Sequence, residues 1–284
     1  MTRACPQAPR AGSQPPPKRP RVQIVTGLAL VLAAVFGLVI GSFLNVVTWR
    51  VPRGESIVKP GSHCPSCCHD LGWRDNIPVV SWLLLGGECR YCGARISVRY
   101  PATEVMTALV FVALTLIIGV HWSLPAYLWL GGAGVALAII DIEHKRLPNA
   151  ITLPSYVAVG ALLLLPAIID GQWDGYLRAW LAAIVLGAAY FGLALIYPKG
   201  MGMGDVKLAG VLGLALGWLG WSELIVGGFL AFVLGSVGGV IVMVATGSGR
   251  KAKIPFGPYM LVGALLGLWI GQPVAHWYQS LLVG

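Results

Sequence analysis

Long stretches without a charged side chain alternate with short polar ones along nearly the whole chain. The uncharged runs are Val22–Trp49, Val105–Val120, Trp122–Ile140, Leu147–Ile169, Ala179–Pro198, Leu208–Ser222, Leu224–Gly249 and Ile254–Gly284. A helix needs roughly 20 apolar residues to cross the hydrocarbon core, with about 17–25 tolerated. Most runs meet that outright; Val105–Val120 and Leu208–Ser222 reach it by borrowing a flanking turn. Backbone groups in lipid must bond internally, so only helices or closed barrels span it, and runs this continuously apolar lack the alternation of a barrel strand. The pattern predicts an all-α polytopic integral membrane protein with about eight transmembrane helices. Composition agrees: 57% of the 284 residues are hydrophobic and 11% charged, which excludes an ordinary soluble domain. The first run is too long for a signal peptide and lacks a small-residue cleavage site.

Charge then orients the helices. The net charge is +9, from 20 Lys and Arg against 11 Asp and Glu, and its placement suits a membrane surface, not nucleic acid. Basic residues gather in residues 1–21, in the long loop Arg50–Arg99, at Lys145-Arg146, at Lys199 and Lys207, and at Arg250-Lys251-Lys253. The turns around His121-Trp122 and Gly220-Trp221 carry none; Arg178 stands apart. With eight spans, the long loop and the three small basic loops share one side, which the positive-inside rule makes cytoplasmic. Residues 1–21, Pro-rich and basic, are expected to be a disordered tail. Eight spans place that tail opposite the other basic segments, and the more numerous loops decide the orientation.

Two carboxylates stand out against this background. Asp141 and Asp205 lie where uncharged runs meet the small basic loops, the second within Gly202-Met203-Gly204-Asp205. An unpaired carboxylate in such a setting costs on the order of 2.5–3.5 kcal/mol even on lenient insertion scales, so each is a functional candidate. The alternative is a helix-end carboxylate paired with Lys145, Arg146 or Lys207, with Gly202 and Gly204 forming a turn before a helix capped by Asp205. As an acid/base pair, one ionised carboxyl activates water and the other, protonated, donates to the scissile carbonyl. Two carboxyls held close share a proton, and macroscopic constants describe the pair. A transporter relaying ions or protons through the same acids would instead need them near the midplane. Glu143, two residues beyond Asp141, faces elsewhere and is expected to be a solvated partner of the neighbouring basic residues; His144 is expected to be interfacial and without a catalytic role.

The long loop holds Cys64-Pro65-Ser66-Cys67 and Cys89-Arg90-Tyr91-Cys92, with 21 residues between them. Paired C-x-x-C knuckles predict a structural zinc site with Cys64, Cys67, Cys89 and Cys92 as ligands, a closed shell that folds a loop too small for its own core. Disulfides compete, but they need an oxidising compartment, and the charge pattern puts the loop in the cytosol. Cys68, His63 and His69 stand near enough to substitute as ligands. Cys5, in the tail, is expected to be a free thiol.

Together several segments resemble the bacterial type IV prepilin peptidase family, also called leader peptidase/N-methyltransferase. They are Gly41-Ser42-Phe43-Leu44-Asn45-Val46-Val47 followed by Arg50-Val51-Pro52, the two knuckles with Asn76-Ile77-Pro78-Val79-Val80-Ser81-Trp82-Leu83 between them, and Ile96-Ser97-Val98-Arg99-Tyr100-Pro101 with Glu104 just beyond. Asp141-Ile142-Glu143 leading to Leu147-Pro148-Asn149, then Gly202-Met203-Gly204-Asp205-Val206-Lys207 and Ile254-Pro255-Phe256-Gly257-Pro258, complete the set. The resemblance implies an inner-membrane aspartic endopeptidase whose catalytic residues are Asp141 and Asp205. Such enzymes remove the basic leader of prepilins or pseudopilins after a glycine, at the cytoplasmic face. It further implies N-methylation of the new terminus from S-adenosylmethionine, with no cofactor-binding residue identified. The expected organisation is a tail (1–21), a first helix with the zinc loop (22–101) and a membrane-embedded peptidase domain (102–284).

Overall fold

The computed structural model describes residues 20–198, 201–246 and 254–283. The expectations for the tail, Cys5, Lys199, Arg250, Lys251 and Lys253 fall outside them, wholly or, for the tail, up to residue 19. Nine α-helices form the described chain: α1 (Pro20–Arg50), α2 (Val80–Leu84), α3 (Arg99–Ile118), α4 (Leu124–His144), α5 (Asn149–Ile169), α6 (Trp173–Ile196), α7 (Met203–Leu219), α8 (Trp221–Thr246) and α9 (Gly257–Val283). Apart from the short α2, each long helix falls on one predicted run. Seven are long and apolar enough to cross a membrane. The exception is α7, whose 17 residues rise only about 25 Å. Its central stretch, Leu208 to Trp218, is buried throughout, because α5, α6, α8 and α9 surround it. Other helices turn large apolar side chains outward, among them Leu28 and Leu32 on α1, Ile184 on α6 and Phe229 on α8, as lipid requires.

Close helix pairs rest on glycine, which lets backbones touch where no hydrophobic drive separates helix from lipid. Along α9, a Cβ on Gly263, Gly267 or Gly271 would come within 2.5–2.7 Å of Ala231 N, Gly227 Cα and Glu223 Cα on α8. Between α1 and α3, Gly37 and Gly41 meet the backbones of Ala108 and Glu104 in the same way. Gly227 is thus spent on helix packing, and Gly238 lies against the Tyr259 ring.

At one end of the bundle, Arg178 on α6 donates to the carbonyls of Gly217, Trp218 and Leu219 at 2.8, 2.7 and 3.2 Å. These are the last carbonyls of α7, which have no helical partner of their own. Nearby His121 meets Asp170 at 3.3 Å. The other end gathers the C-terminal ends of α1, α4 and α6, the N-terminal ends of α3, α5, α7 and α9, and the cysteine loop. Among the described residues, the basic loops Arg50–Arg99 and Lys145-Arg146 and the cation Lys207 lie at this end, so α7, though short, runs between the same two faces as its neighbours.

Candidate active site and metal centre

Asp141 occupies the last turn of α4, which ends at Lys145 in a left-handed conformation (φ 52°). The carboxylate is buried, and its Oδ2 accepts the Gly257 N–H at 2.9 Å. Gly257 opens α9, so the oxygen sits where free amides and the helix dipole favour negative charge. Asp205 lies at the third position of α7 and accepts the Gly202 N–H through Oδ2 at 3.0 Å. The expected cap is therefore real, and it holds one oxygen only. Each carboxylate has one oxygen fixed by a glycine amide and makes no other hydrogen bond among the described residues.

Leu147 joins the two positions. It lies 3.0 Å from where a Cβ on Gly204 would stand and 3.3 Å from one on Gly257. The chain of contacts runs Asp141, Gly257, Leu147, Gly204, Asp205, and the Asp141 charge acts on Asp205 through space. The salt-bridge alternative fails. Lys207 Nζ instead donates to Asn149 Oδ1 at 2.9 Å, and Arg146 to the Pro52 carbonyl at 2.6 Å. No ion pair engages Asp141 or Asp205 among the described residues.

Glu143 departs from expectation as well. Its main partner is Arg99, at 3.0 Å, not the adjacent Lys145 or Arg146; only His144 approaches it locally, at 4.0 Å. Arg99 also donates to Thr48 Oγ1 on α1 at 3.3 Å, and so bridges α1, α3 and α4 beside the Asp141 turn. Arg146 is engaged instead by the Pro52 carbonyl.

The cysteine loop brings Cys64, Cys67, Cys89 and Cys92 together, every Sγ within 4.8 Å of the others. Cys64 and Cys92 sulfurs are 3.8 Å apart. A tetrahedral ion with Zn–S bonds of about 2.3 Å spaces its sulfurs by about 3.8 Å, so the set fits such an ion. Two knuckles repeat one local geometry. Cys64 N–H bonds the His69 carbonyl as Cys89 N–H bonds that of Ala94, and Cys68 N–H bonds the Cys64 carbonyl as Gly93 N–H bonds that of Cys89. Cys68 and Gly93 hold matching left-handed positions (φ 57° and 69°). Cys68 is thus the turn residue of the first knuckle, outside the cluster; His63 bonds the Gly61 carbonyl and His69 stacks on Tyr91. None of these three joins the four sulfurs.

The Cys67 and Ser66 backbone N–H groups hold the Cys64 thiol down at about 6. At Cys92 the Ala94 N–H acts in the same sense, but desolvation and three neighbouring thiols outweigh it and push the group up to about 12. Four sulfurs this close do not all ionise without a cation among them. Arg90 braces the loop by bonding Asp75 at 2.7 Å, which keeps that carboxyl below the usual carboxylate range.

Spacing alone missed Gly257 and Leu147. The Gly257-Pro258 step near the start of the last apolar run suits a helix start, yet nothing local reveals a partner 116 positions away.

Comparison with known proteins finds matches along most of the chain. Residues 35–118 match the model of the bacterial peptidase A24 N-terminal domain, and residues 128–244 that of the type IV leader peptidase family. A prepilin leader peptidase/N-methyltransferase of Aeromonas salmonicida is 33% identical over 89% of this chain and 94% of its own. Its namesake from Myxococcus xanthus is 39% identical over 78% of this chain and 65% of its own. A type 4 prepilin-like proteins leader peptide-processing enzyme of Escherichia coli is 35% identical over 84% and 93%. No solved structure matches.

Proposed function

The chain belongs to the type IV leader peptidase family, and on that premise we propose that Asp141 and Asp205 are the catalytic dyad of a prepilin peptidase. The protein is a multi-pass membrane protease that processes prepilins or pseudopilins and carries methyltransferase activity. One observation supports the dyad above the rest: two carboxylates at the ends of α4 and α7, each with one oxygen fixed by a glycine amide and neither in an ion pair. One carboxyl takes a proton from water while the other donates to the carbonyl oxygen of the scissile bond. Glycine amides orient both groups without neutralising them, which leaves each able to serve as acid or base. As both acids lie at helix ends, an ion relay through the midplane finds no support.

Charge placement supports an inner-membrane location with this site at the cytoplasmic face. A basic leader stays in the cytosol by the same rule, which leaves the scissile bond at headgroup depth beside the dyad. Zinc held by Cys64, Cys67, Cys89 and Cys92 would order the loop and take no part in hydrolysis, because its shell is closed. S-adenosylmethionine would supply an electrophilic methyl group for the new N-terminus. Lipid is the other partner; nucleic acid is not one.

The test is cleavage of a model prepilin (basic leader, glycine, phenylalanine-led helix) by membranes holding wild type, Asp141→Asn or Asp205→Asn, with products weighed by mass spectrometry. Wild type should cut after the glycine and neither variant should. Equal cleavage by all three would remove the dyad assignment.

A further inference from the structure

A cavity of about 850 Å³ opens between α1, the cysteine loop and the start of α3, within the range of small-molecule and cofactor sites. On α1 it is lined by Val39, Ser42, Phe43, Val46, Trp49 and Arg50, one continuous helix face by their spacing. Trp82 and Tyr100 add aromatic surface opposite. Glu104, on α3, reaches the same cavity with only 7% of its surface exposed. One of its oxygens accepts the Val79 N–H at 2.7 Å, and Ser42 hydrogen-bonds the carboxylate too. Val79 holds φ at 59°, a conformation costly for a β-branched residue and concentrated at functional sites.

Glu104 has no cationic partner among the described residues. Arg50 is engaged with the carbonyls of Ser56 and Gly61, and Arg99 with Glu143 and Thr48. A buried carboxylate without a countercharge is costly in an apolar helix and marks a site for a cationic ligand. Prepilin cleavage produces such a cation, the α-ammonium of the new N-terminus. Arg99 lines the cavity and pairs with Glu143, two residues from Asp141, which links the opening to the segment carrying that acid.

We propose, resting on the processing function above, that this cavity is the methyl-transfer site and that Glu104 is its general base. Glu104 pairs with the α-ammonium and takes one proton, leaving a neutral amine and a carboxylic acid. The nitrogen lone pair then attacks the sulfonium methyl carbon of S-adenosylmethionine. The new N–C bond forms as the C–S bond breaks, its electrons return to sulfur as a neutral thioether, and the product is a secondary ammonium. Aromatic walls on α1 and the loop suit an adenine ring and a sulfonium. Gly41, backed directly on the Glu104 backbone, fixes the carboxylate's height along α1.

The test uses purified full-length wild type, Glu104→Gln and Val46→Trp with the model prepilin. Cleavage and the mass gain of one CH₂ are read separately, and S-adenosylhomocysteine binding is measured by calorimetry. Glutamine keeps an oxygen for the Val79 N–H. Glu104→Gln should therefore cleave normally, bind S-adenosylhomocysteine normally and methylate about 10²-fold or more slowly. Val46→Trp, which sets an indole into the ligand space between α1 and the loop, should cleave but neither bind nor methylate. Wild-type methylation by Glu104→Gln, or unchanged binding by Val46→Trp, would overturn the proposal. So would loss of zinc and cleavage in Glu104→Gln, which would make the residue structural. A wild type that cleaves without methylating would remove the methyl-transfer function itself and this site with it.

Discussion

Gly257 offers Asp141 an amide and keeps clear the space beside it. A methyl group there would stand 2.8 Å from the Asp141 Oδ2, too close without displacing the carboxylate. Gly257→Ala is expected to lower the cleavage rate about 10²-fold, the scale set by ångström misplacement of a reacting group, with helix content by circular dichroism unchanged. Cys68 makes the opposite case. It fills a left-handed turn that glycine occupies in the sister knuckle, where a side chain costs roughly 1 kcal/mol. Cys68→Gly should keep full metal occupancy and raise resistance to a competing chelator; lost metal would return Cys68 to the ligand set. Both Asp residues were legible in sequence as rare acids at the edges of apolar runs. Gly202 was legible too, in the turn before a helix capped by Asp205, whereas Gly257 was not, because a backbone donor leaves no chemical mark on the residue that carries it.

Helix number and position were written in the run lengths, since lipid excludes almost every alternative to a helix. What the pattern could not show is that α7 is enclosed by protein: apolar residues read alike whether they face lipid or neighbouring helices. Arg178 was the anomaly of the charge pattern, a cation opposite the basic loops. Its guanidinium is used by the α7 carbonyls, in keeping with the attraction of cations to helix C-termini. Arg178→Leu should cost about 2–3 kcal/mol by stranding those carbonyls, and a thermal melt in detergent would measure it. Equal stability would mean that water already satisfies them. The α8–α9 contact is less forgiving. A side chain at Gly267 meets the Gly227 backbone, so Gly267→Leu must part the helices, tilt the α9 start that holds Asp141, and lower cleavage together with melting temperature.

Two bodies make up the molecule at its working end: a helical bundle carrying Asp141 and Asp205, and a loop that gathers four cysteines of its own. Cys64→Ser with Cys89→Ser should open residues 51–98 to limited proteolysis while α3 to α9 stay protected. Cleavage spread through the helices would show that the loop supports the whole fold. Asp75 adds a pH signature. Its carboxyl is held down by Arg90, so its stabilisation is full above the ordinary carboxylate range and fades as pH falls through the lower folded value. Wild type should resist proteolysis of the loop better than Asp75→Asn at neutral pH, and the difference should vanish on acidification. The knuckle spacing announced the four-cysteine cluster, whereas the cavity beside it arises only when α1, the loop and α3 pack. Arg99 lines the cavity and pairs with Glu143 in the turn that carries Asp141, and that link has a kinetic consequence. A cut chain need not re-enter the bulk membrane before its terminus is modified, so the enzyme should act processively. A pulse of labelled prepilin chased with excess unlabelled substrate should yield labelled product already methylated, and Arg99→Ala should raise the fraction that escapes between the two steps.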